Sequence, residues 1–365
     1  MSVNHLQKIP NIIRDNIRRK ILSWYDENRR IFPWRAEKGQ VPNPYYVYLS
    51  EVMLQQTTVA TVDDYFRRFI KRWPDLKALS MADLEDILVE WQGLGYYSRA
   101  RNLHKSAKLL ADFPCFPQAP EGLMGLPGVG DYTAAAVASI AFDHPIIPID
   151  GNIMRVFSRL FRIDVPFTNL KREVFLYTSP MAKGERPGDF AQSLMDLGAV
   201  VCRPKNPKCD ECPLQTCCQA FLKGETSKFP VPKERIQKLV RFGIAYVLLR
   251  EGQIFLEKRP EKGLLGGMTA VPTTPWLVDF VDQGDLYSPE KGLDWEIMPR
   301  QVKHTFTHFH LHLTVKVAVS QNSPAGIWAP LETLETVALP TLMKKVIECV
   351  PDGFSLDPCV KPQGY

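Results

Sequence analysis

The sequence lacks the segments that would send the chain into or across a membrane. No apolar run approaches the roughly 20 residues that a helix needs to span a bilayer. The N-terminal stretch, "MSVNHLQKIPNIIRDNIRRK", has neither the apolar core nor the small-residue cleavage site of a signal peptide. Internal repeats and low-complexity tracts are absent as well. We therefore expect a soluble, globular, cytoplasmic protein.

The sequence also has little excess charge of either sign. Its 365 residues carry 45 Lys and Arg against 40 Asp and Glu, which gives a net charge of +5. The excess lies within residues 1–230, because residues 231–365 hold equal numbers of acidic and basic side chains. A mildly basic surface permits an anionic partner without requiring one.

The length allows two domains, and the spacing of apolar residues changes near residue 225. Before that point apolar residues recur at helical spacing, as in "NIIRDNIRRKILSWYDEN". The stretch "GETSKFPVPKERIQK" is typical of a linker because it carries Gly, Ser and two prolines. Later Thr-, Val- and Phe-rich stretches favour strands, and "LPTLMKKVIECV" favours a closing helix. We predict a mainly α domain over residues 1–224, a linker over 225–238 and an α+β domain over 239–365.

A glycine-rich loop, "LPGVGDYT", precedes the Ala-rich stretch "AAAVASIA". Only glycine accepts positive φ and close backbone approach without a penalty. Gly128 and Gly130 ahead of a helix would expose free N–H groups, which together with the helix dipole form a site suited to phosphate. The alternative is a turn that only connects two helices.

Cysteine is scarce and unevenly placed. Five of the eight cysteines lie between residues 202 and 218, and in a reducing compartment such a cluster indicates a metal rather than disulfides. The spacing C-x6-C-x2-C-x5-C suits a tetrahedral zinc or an iron–sulfur cluster and leaves both open. The four positions are Cys202, Cys209, Cys212 and Cys218. The first interval also holds Arg203, Lys205 and Lys208. These three side chains either contact DNA phosphates or are ordinary surface charge.

Two carboxylates stand out by their neighbours. Glu51 lies among apolar residues in "YVYLSEVML", where burial would raise its pKa towards neutrality and make it a proton donor. The alternative is that it lies on the wet face of an amphipathic helix. Asp150 follows the apolar run in "PIIPIDGNIMRV" and precedes a helix, so it can serve as an N-cap. Capping fixes the direction of a carboxylate and is therefore compatible with a catalytic role.

Several longer strings together resemble one family. The first domain resembles, over nearly its whole length, the A/G-specific adenine DNA glycosylases of the endonuclease III, or helix-hairpin-helix, superfamily. The second domain extends the resemblance with "GLLGGM" and "HTFTHFH". The strings of the first domain are "FPWR", "SEVMLQQT", "GLGYYSRARNL", "LPGVGDYT", "DGNIMRV", "QSLMDLGAVVC" and the cysteine loop.

The resemblance implies an enzyme of base-excision repair that flips out an adenine mispaired with 8-oxoguanine or guanine and cuts its N-glycosidic bond. Glu51 would protonate adenine N7, and Asp150 would stabilise the oxocarbenium-like sugar, as carboxylates do in glycoside hydrolysis. Arg30, Trp34 and Gln192 match residues that line the adenine pocket. The DNA- and 8-oxoguanine-binding residues implied for this domain are Gln56, Thr57, Leu94, Tyr96, Gly128, Gly130 and Tyr132, with Tyr96 as a wedge in the base stack.

The resemblance also bears on the cofactor. The cysteine loop resembles the compact cluster loop of the endonuclease III superfamily, which implies a [4Fe–4S] cluster. Its ligands would be Cys202, Cys209, Cys212 and Cys218, and Cys217, which breaks the spacing, would stay unligated.

The residue at the glycine hairpin predicts how far the reaction goes. Bifunctional relatives carry a lysine where this chain has Tyr132, and that amine forms a Schiff base with the sugar that permits strand cleavage. Tyrosine cannot form this imine. We therefore expect a monofunctional glycosylase.

The second domain resembles a Nudix, or MutT-like, fold. The glutamate-rich Nudix box that binds metal is missing from residues 231–365, so nucleotide hydrolysis is not expected. In the family, the loop equivalent to Phe306, Thr307 and His308 contacts 8-oxoguanine. Its middle residue is usually serine, and threonine keeps the hydroxyl while adding a methyl. The family often continues with Trp-Glu-Phe-Pro after "GLLGGM", whereas this chain has "TAVP", so both departures bear on 8-oxoguanine discrimination rather than on the chemistry.

Two other functions compete with the adenine glycosylase. One is another glycosylase of the superfamily, either thymine-excising or a bifunctional enzyme acting on damaged pyrimidines. The long second domain speaks against both. Tyr132 speaks only against the bifunctional enzyme, because related thymine glycosylases also carry tyrosine there. The other is a non-catalytic DNA-binding protein, against which the presence of both carboxylates speaks. The expected partner is double-stranded DNA with an A:8-oxoguanine or A:G mispair, bound by a monomer in the bacterial cytoplasm, at the nucleoid and away from membranes.

Overall fold

The computed structural model describes residues 9–232 and 237–351, and these form two compact units. The first unit holds the described residues up to Met81 and those from Asn102 to the gap. The second holds Ala82–Arg101 and the described residues after the gap. In the two described ranges, no helix is long and apolar enough to cross a membrane.

Helices dominate the chain before the gap, which confirms the mainly α prediction for this region. Their starts follow from the sequence: the side chain of Asn43 accepts hydrogen bonds from the first backbone N–H groups of one helix, and Thr58 caps the next. The helices are α1 (Asn11–Asn28), α2 (Pro44–Leu54), α3 (Val59–Arg72), α4 (Leu76–Met81), α5 (Leu84–Glu90), α6 (Ser98–Ala111), α7 (Pro120–Met124), α8 (Asp131–Phe142), α9 (Gly151–Leu160), α10 (Phe167–Thr178), α11 (Pro187–Asp196) and α12 (Gln219–Leu222).

Helix α8 lies at the centre of the first unit. Its side chains from Thr133 to Ala141 are buried, and most of them are small, so α2 and α11 can pack closely against it. One close approach is at Gly188 of α11, where a Cβ would lie 2.5 Å from the carbonyl oxygen of Ser139. This packing brings α2, α11 and the beginning of α8 around one space.

The second unit contains a seven-stranded sheet. Its strands are β1 (Leu239–Arg250), β2 (Gln253–Lys258), β3 (Thr269–Ala270), β4 (Glu296–Ile297), β5 (Val302–Thr305), β6 (Phe309–Val319) and β7 (Ile327–Pro330). The order is β3-β2-β1-β6-β4, with β5 paired to β6 and β7 paired to β2. The central strands β1 and β6 run parallel. Helix α13 (Thr341–Ile347) adds apolar side chains to the core of the sheet, which confirms the α+β prediction.

Residues 82–101 belong to the second unit although they precede the sheet by more than a hundred residues in sequence. The side chain of Gln92 donates to the carbonyl oxygen of Val337 at 2.8 Å. Lys258 forms an ion pair with Glu85 on α5. These contacts tie α5 and the turn that follows it to the sheet.

Candidate active site

A cavity of about 200 Å³ lies in the first unit and is lined by residues of α2, α8, α9 and α11. The sequence strings "FPWR" and "DGNIMRV" supply two lining residues that the sequence analysis missed, Arg35 and Asn152. Gln56 lies exposed in the turn after α2 and is not among the lining residues. Seven residues that the sequence singles out do line it: Arg30, Trp34, Glu51, Thr57, Tyr132, Asp150 and Gln192.

Glu51 is buried in α2 with 7 % of its surface exposed, so the alternative of a wet helix face is wrong. Burial raises its pKa to about 7, and the charge of Asp150 acts in the same direction. A hydrogen bond from the Tyr132 hydroxyl and the charge of Arg35 oppose the rise. Glu51 can therefore carry a proton at neutral pH and donate it as a general acid.

Asp150 is the N-cap of α9, as the sequence suggests, and its carboxylate is held at both oxygens. The backbone N–H of Ile153 donates to Oδ1 at 2.7 Å, and Asn152 Nδ2 donates to Oδ2 at 2.8 Å. Arg155 braces Asn152 by donating to its Oδ1 at 2.8 Å, and also donates to the carbonyl oxygen of Cys202 at 2.7 Å. The capping geometry fixes the carboxylate at the cavity wall.

The two carboxyl groups have different environments. Burial raises the pKa of Asp150 above its usual range, and hydrogen bonds from Ile153 and Asn152 to its carboxylate limit the rise. The pKa of Glu51 is lowered instead by the Tyr132 hydroxyl and by the charge of Arg35, and burial outweighs both. Because differing environments separate the roles of paired acids, this arrangement suits one proton donor, Glu51, and one anion, Asp150.

Trp34 and Gln192 form part of the wall next to these acids. The Trp34 ring is buried, stacks on Phe32 with centroids 4.9 Å apart and meets Phe66 edge-on at 5.3 Å. Gln192 is buried in α11, and its amide lies 3.4 Å from the carbonyl oxygen of Gly188. The wall thus combines an aromatic surface with an amide that can pair with the edge of a base.

The glycine hairpin leads directly into α8. Gly128 adopts φ +75°, and a Cβ there would lie 2.7 Å from Asn102 Nδ2, so both reasons for glycine hold at this position. Gly130 is the N-cap of α8 with φ −99°, so positive φ does not explain the second glycine. The next turn carries Tyr132 into the cavity, where its hydroxyl hydrogen-bonds to Glu51.

The cysteine loop forms a second feature of the first unit. Cys202, Cys209, Cys212 and Cys218 are free thiols and line one cavity. Arg159 lines it too and donates to Cys202 Sγ at 3.4 Å. In the described ranges, no three His, Cys, Asp or Glu side chains lie close enough together to hold a single metal ion. Four free thiols around a shared space, with a guanidinium directed at one of them, fit a cluster in which each iron takes one thiolate.

A third cavity, of about 550 Å³, lies in the second unit. The Tyr96 ring is 47 % exposed, and its hydroxyl hydrogen-bonds to the Thr307 hydroxyl. Phe306 stacks on Trp276 with centroids 5.8 Å apart, at the turn between β5 and β6. The cavity brings together five residues implied for recognition of the damaged base: Leu94, Tyr96, Phe306, Thr307 and His308.

Comparison with known proteins agrees with this architecture. Residues 49–174 match the family described as "HhH-GPD superfamily base excision DNA repair protein", and residues 244–349 match the NUDIX domain. The structure of a thermostable thymine-DNA glycosylase superimposes with a TM-score of 0.52 at 27 % identity, covering 58 % of this chain and 98 % of that one. The fold and the cavity therefore define a base-excision DNA repair protein of the helix-hairpin-helix class.

Longer matches narrow the assignment. An adenine DNA glycosylase from Buchnera aphidicola subsp. Baizongia pistaciae is 33 % identical over 341 residues, covering 90 % of this chain and 94 % of that protein. The adenine DNA glycosylase of Mus musculus is 32 % identical over 400 residues, covering 92 % and 78 % respectively. The chain belongs to the adenine DNA glycosylase family, which confirms the family predicted from its sequence strings.

Proposed function

We propose that the chain removes adenine from A:8-oxoguanine and A:G mispairs in double-stranded DNA by hydrolysing the N-glycosidic bond. One observation carries this proposal: a buried Glu51 that can hold a proton shares a cavity with Asp150, whose carboxylate is fixed at a helix N-terminus. Family membership supports adenine as the base, and the two acids in the cavity support the proposed way of releasing it.

The proposed reaction begins with the adenine flipped out of the duplex into the cavity, which costs least at a mispair. Glu51 gives its proton to adenine N7. The C1′–N9 bond then breaks, its electron pair passes to the protonated ring, and an oxocarbenium-like sugar remains. Asp150 stabilises this cation by its charge or by a transient bond to C1′. Water then adds at C1′, displacing Asp150 where that bond has formed, and gives a proton to the Glu51 carboxylate, which restores the acid. Trp34 would contact the adenine ring, while Arg30 and Gln192 would bind its edge.

We propose that the reaction stops at base removal. The cavity has Tyr132 where an imine-forming enzyme needs an amine, and the Tyr132 hydroxyl is hydrogen-bonded to Glu51. Tyr132 would thus influence the pKa of Glu51 rather than attack the sugar. The product would be a duplex with an intact strand and an abasic site.

Recognition of 8-oxoguanine is assigned to the cavity of the second unit. Thr307 and His308 are exposed at the turn of the β5–β6 hairpin, and Tyr96 is exposed next to Thr307. An exposed aromatic ring can stack on a base, which contributes roughly 1–3 kcal/mol. In the absence of DNA, the Tyr96–Thr307 hydrogen bond holds both side chains at one edge of the cavity. Gln56, exposed in the first unit, and Thr57 at the active-site cavity would contact the DNA.

For the cysteine loop we propose a [4Fe–4S] cluster held by Cys202, Cys209, Cys212 and Cys218. When bound, the cluster would cross-link the loop rather than take part in base release. The loop would then present the three basic residues of its first interval, Arg203, Lys205 and Lys208, to the phosphates.

The purified protein is expected to be brown and to contain iron, because the cysteine loop resembles the cluster loop of the superfamily and its four thiolates suffice for a [4Fe–4S] cluster. Visible absorbance and iron and sulfide analysis check this. Cys202→Ser is expected to lower the iron content, whereas Cys217→Ser, next to a ligand but outside the cavity lining, should leave it unchanged. Colourless protein with one bound zinc would contradict the assignment.

A set of duplexes tests the proposed function. The protein is incubated with duplexes that contain A:8-oxoguanine, A:G, T:G or thymine glycol, and strand breaks are compared with and without alkali. We expect breaks at adenine only, faster opposite 8-oxoguanine, and only after alkali. Borohydride should trap no covalent band. Tight binding without excision, or excision of thymine, would refute the proposal, and a strong trapped band would refute the monofunctional reaction.

The rate of base release should depend on pH through Glu51. Because its pKa is raised to about 7 and the acid form donates the proton, the rate is expected to be highest below pH 7 and to fall above it. Far above the midpoint, the fall approaches about tenfold per pH unit. Single-turnover measurements at constant ionic strength check this, with near-UV circular dichroism as a control for folding. A rate that does not change between about pH 6 and pH 9 would argue against Glu51 as the donor.

A further inference from the structure

A buried aspartate that the proposed reaction does not use lies behind the active-site cavity. Asp196 is the last residue of α11, and its side chain has no exposed surface. Its carboxylate contacts Arg30 and Arg35, which both line the cavity. A charge buried this deeply is stable only with partners that match it closely.

The contacts form two forks on one carboxylate. Arg30 Nε lies 2.7 Å and Arg30 Nη2 2.6 Å from Asp196 Oδ1. The Arg30 backbone N–H donates to Asp196 Oδ2 at 3.2 Å. Arg35 Nη1 donates to Oδ2 at 2.7 Å, and Arg35 Nη2 donates to Oδ1 at 2.9 Å. Asp196 therefore holds the guanidinium groups of Arg30 and Arg35 and also the backbone N–H of Arg30.

An aromatic ring completes the arrangement. The Arg30 and Arg35 guanidinium carbons lie over the Phe32 ring, 4.9 Å and 5.1 Å from its centroid. Phe32 in turn stacks on Trp34, the aromatic part of the cavity wall. A displaced Asp196 would therefore affect the surface proposed to hold adenine as well as the two arginines.

The charges of these groups bear on Glu51. Burial acts to raise the pKa of Asp196, but hydrogen bonds and charge from Arg35 and Arg30 outweigh it and hold that pKa below its usual range. Asp196 is therefore an anion at neutral pH, and the three groups together carry one net positive charge. Arg35 favours the ionised form of Glu51, while Asp150 disfavours it and Tyr132 donates a hydrogen bond to it. A stronger positive charge near Glu51 would lower the pKa of this acid, so that Glu51 would be ionised at neutral pH and could not donate a proton.

Building on the function proposed above, we propose that Asp196 is a positioning residue of the adenine pocket. It holds Arg30 and Arg35 against the cavity and offsets their charge, so that Glu51 keeps the proton that adenine receives.

A series of charge variants tests this. Asp196→Asn leaves two positive charges, Arg30→Gln leaves none, and the double variant restores the single net charge of the wild type. Single-turnover adenine release is measured over about pH 5 to 9. The midpoint should move down by about half a unit or more for Asp196→Asn, up for Arg30→Gln, and back towards the wild type for the double variant.

Asp26→Asn is the matched control. Asp26 also pairs with an arginine of the first unit, with Arg186 Nη2 at 2.6 Å from Asp26 Oδ1, but it does not line the active-site cavity. Its replacement should leave the midpoint in place. If Asp196→Asn fails to fold, the comparison of Arg30→Gln with the double variant carries the same information, because these two also differ only at Asp196.

Two outcomes would overturn the inference: an Asp196→Asn rate that falls equally at every pH, or a double variant whose midpoint does not return. Both leave the proposed function standing, because they presuppose a wild type that releases adenine. A wild type that releases none would remove the proposed function itself.

Discussion

Glu51→Gln is expected to reduce adenine release in a single turnover by about 10³-fold or more, with binding of mispaired DNA retained. The amide has nearly the size of the carboxyl group and can still accept the hydrogen bond from Tyr132. It has no proton acidic enough to give to adenine N7. The measurement is the rate of alkali-sensitive breaks at an A:8-oxoguanine pair with enzyme in excess.

The same variant should be more stable than the wild type at neutral and alkaline pH. A carboxyl group whose pKa is higher folded (about 7) than unfolded (near 4.5) makes the fold lose stability as pH rises between these two values. Glutamine removes that loss, so we expect a gain of about 3 kcal/mol above pH 7 that vanishes below pH 4.5. Thermal unfolding of both proteins above pH 7 and below pH 4.5 checks the sign of the stability difference.

Glu257→Gln is the control for base release. The pKa of Glu257 is raised as well, but its side chain is exposed on β2 in the second unit and is not among the residues lining the active-site cavity. Its replacement should leave base release near the wild-type rate. Full-speed release by Glu51→Gln would remove the proton donor from the mechanism.

Asp150→Asn is expected to lower single-turnover release by about 10²–10³-fold for a different reason. Asparagine caps a helix as well as aspartate does, so α9 should stay folded and the melting temperature should change little. What is lost is the negative charge that faces the sugar as the bond breaks. The pH midpoint assigned to Glu51 should move down, because the charge of Asp150 helps to raise the pKa of Glu51.

The same substitution at another N-cap separates charge from capping. Asp83 caps α5 by accepting from the Glu85 backbone N–H at 2.8 Å, far from the cavity in sequence and absent from its lining. Asp83→Asn should leave release unchanged. If Asp150→Asn retained release within about threefold, stabilisation of the sugar by this carboxylate would be ruled out.

Much of the first unit could be predicted because local patterns decide it. The stretches read as helical around "NIIRDNIRRKILSWYDEN" and "DYTAAAVASIAF" coincide with α1 and α8. Asp150 caps α9 because a short acidic side chain stands before an apolar helix, which is visible in sequence. Burial of Glu51 was the harder question, because both faces of α2 are apolar and spacing alone did not show which face is wet.

Other features depend on contacts that sequence spacing does not report. Arg30 and Asp196 are separated by 166 residues, and nothing near either residue indicates that they meet. The position of Tyr132 is similar: the hairpin suggested contact with DNA, but the first turn of α8 directs its hydroxyl towards Glu51. The packing of α2 on α8 brings Tyr132 to Glu51, and the packing of α1 on α11 brings Arg30 to Asp196.

The assignment of residues 82–101 to the sheet unit has a consequence for making chimaeras. Exchange of the C-terminal domain between two relatives, cut at the linker, would place a foreign sheet against a native α5. The contacts of Gln92 with Val337 and of Glu85 with Lys258 would then join segments from different parents. Tyr96 and Thr307, which share one hydrogen bond, would then come from different parents. A working exchange of base recognition would have to transplant both segments as a pair.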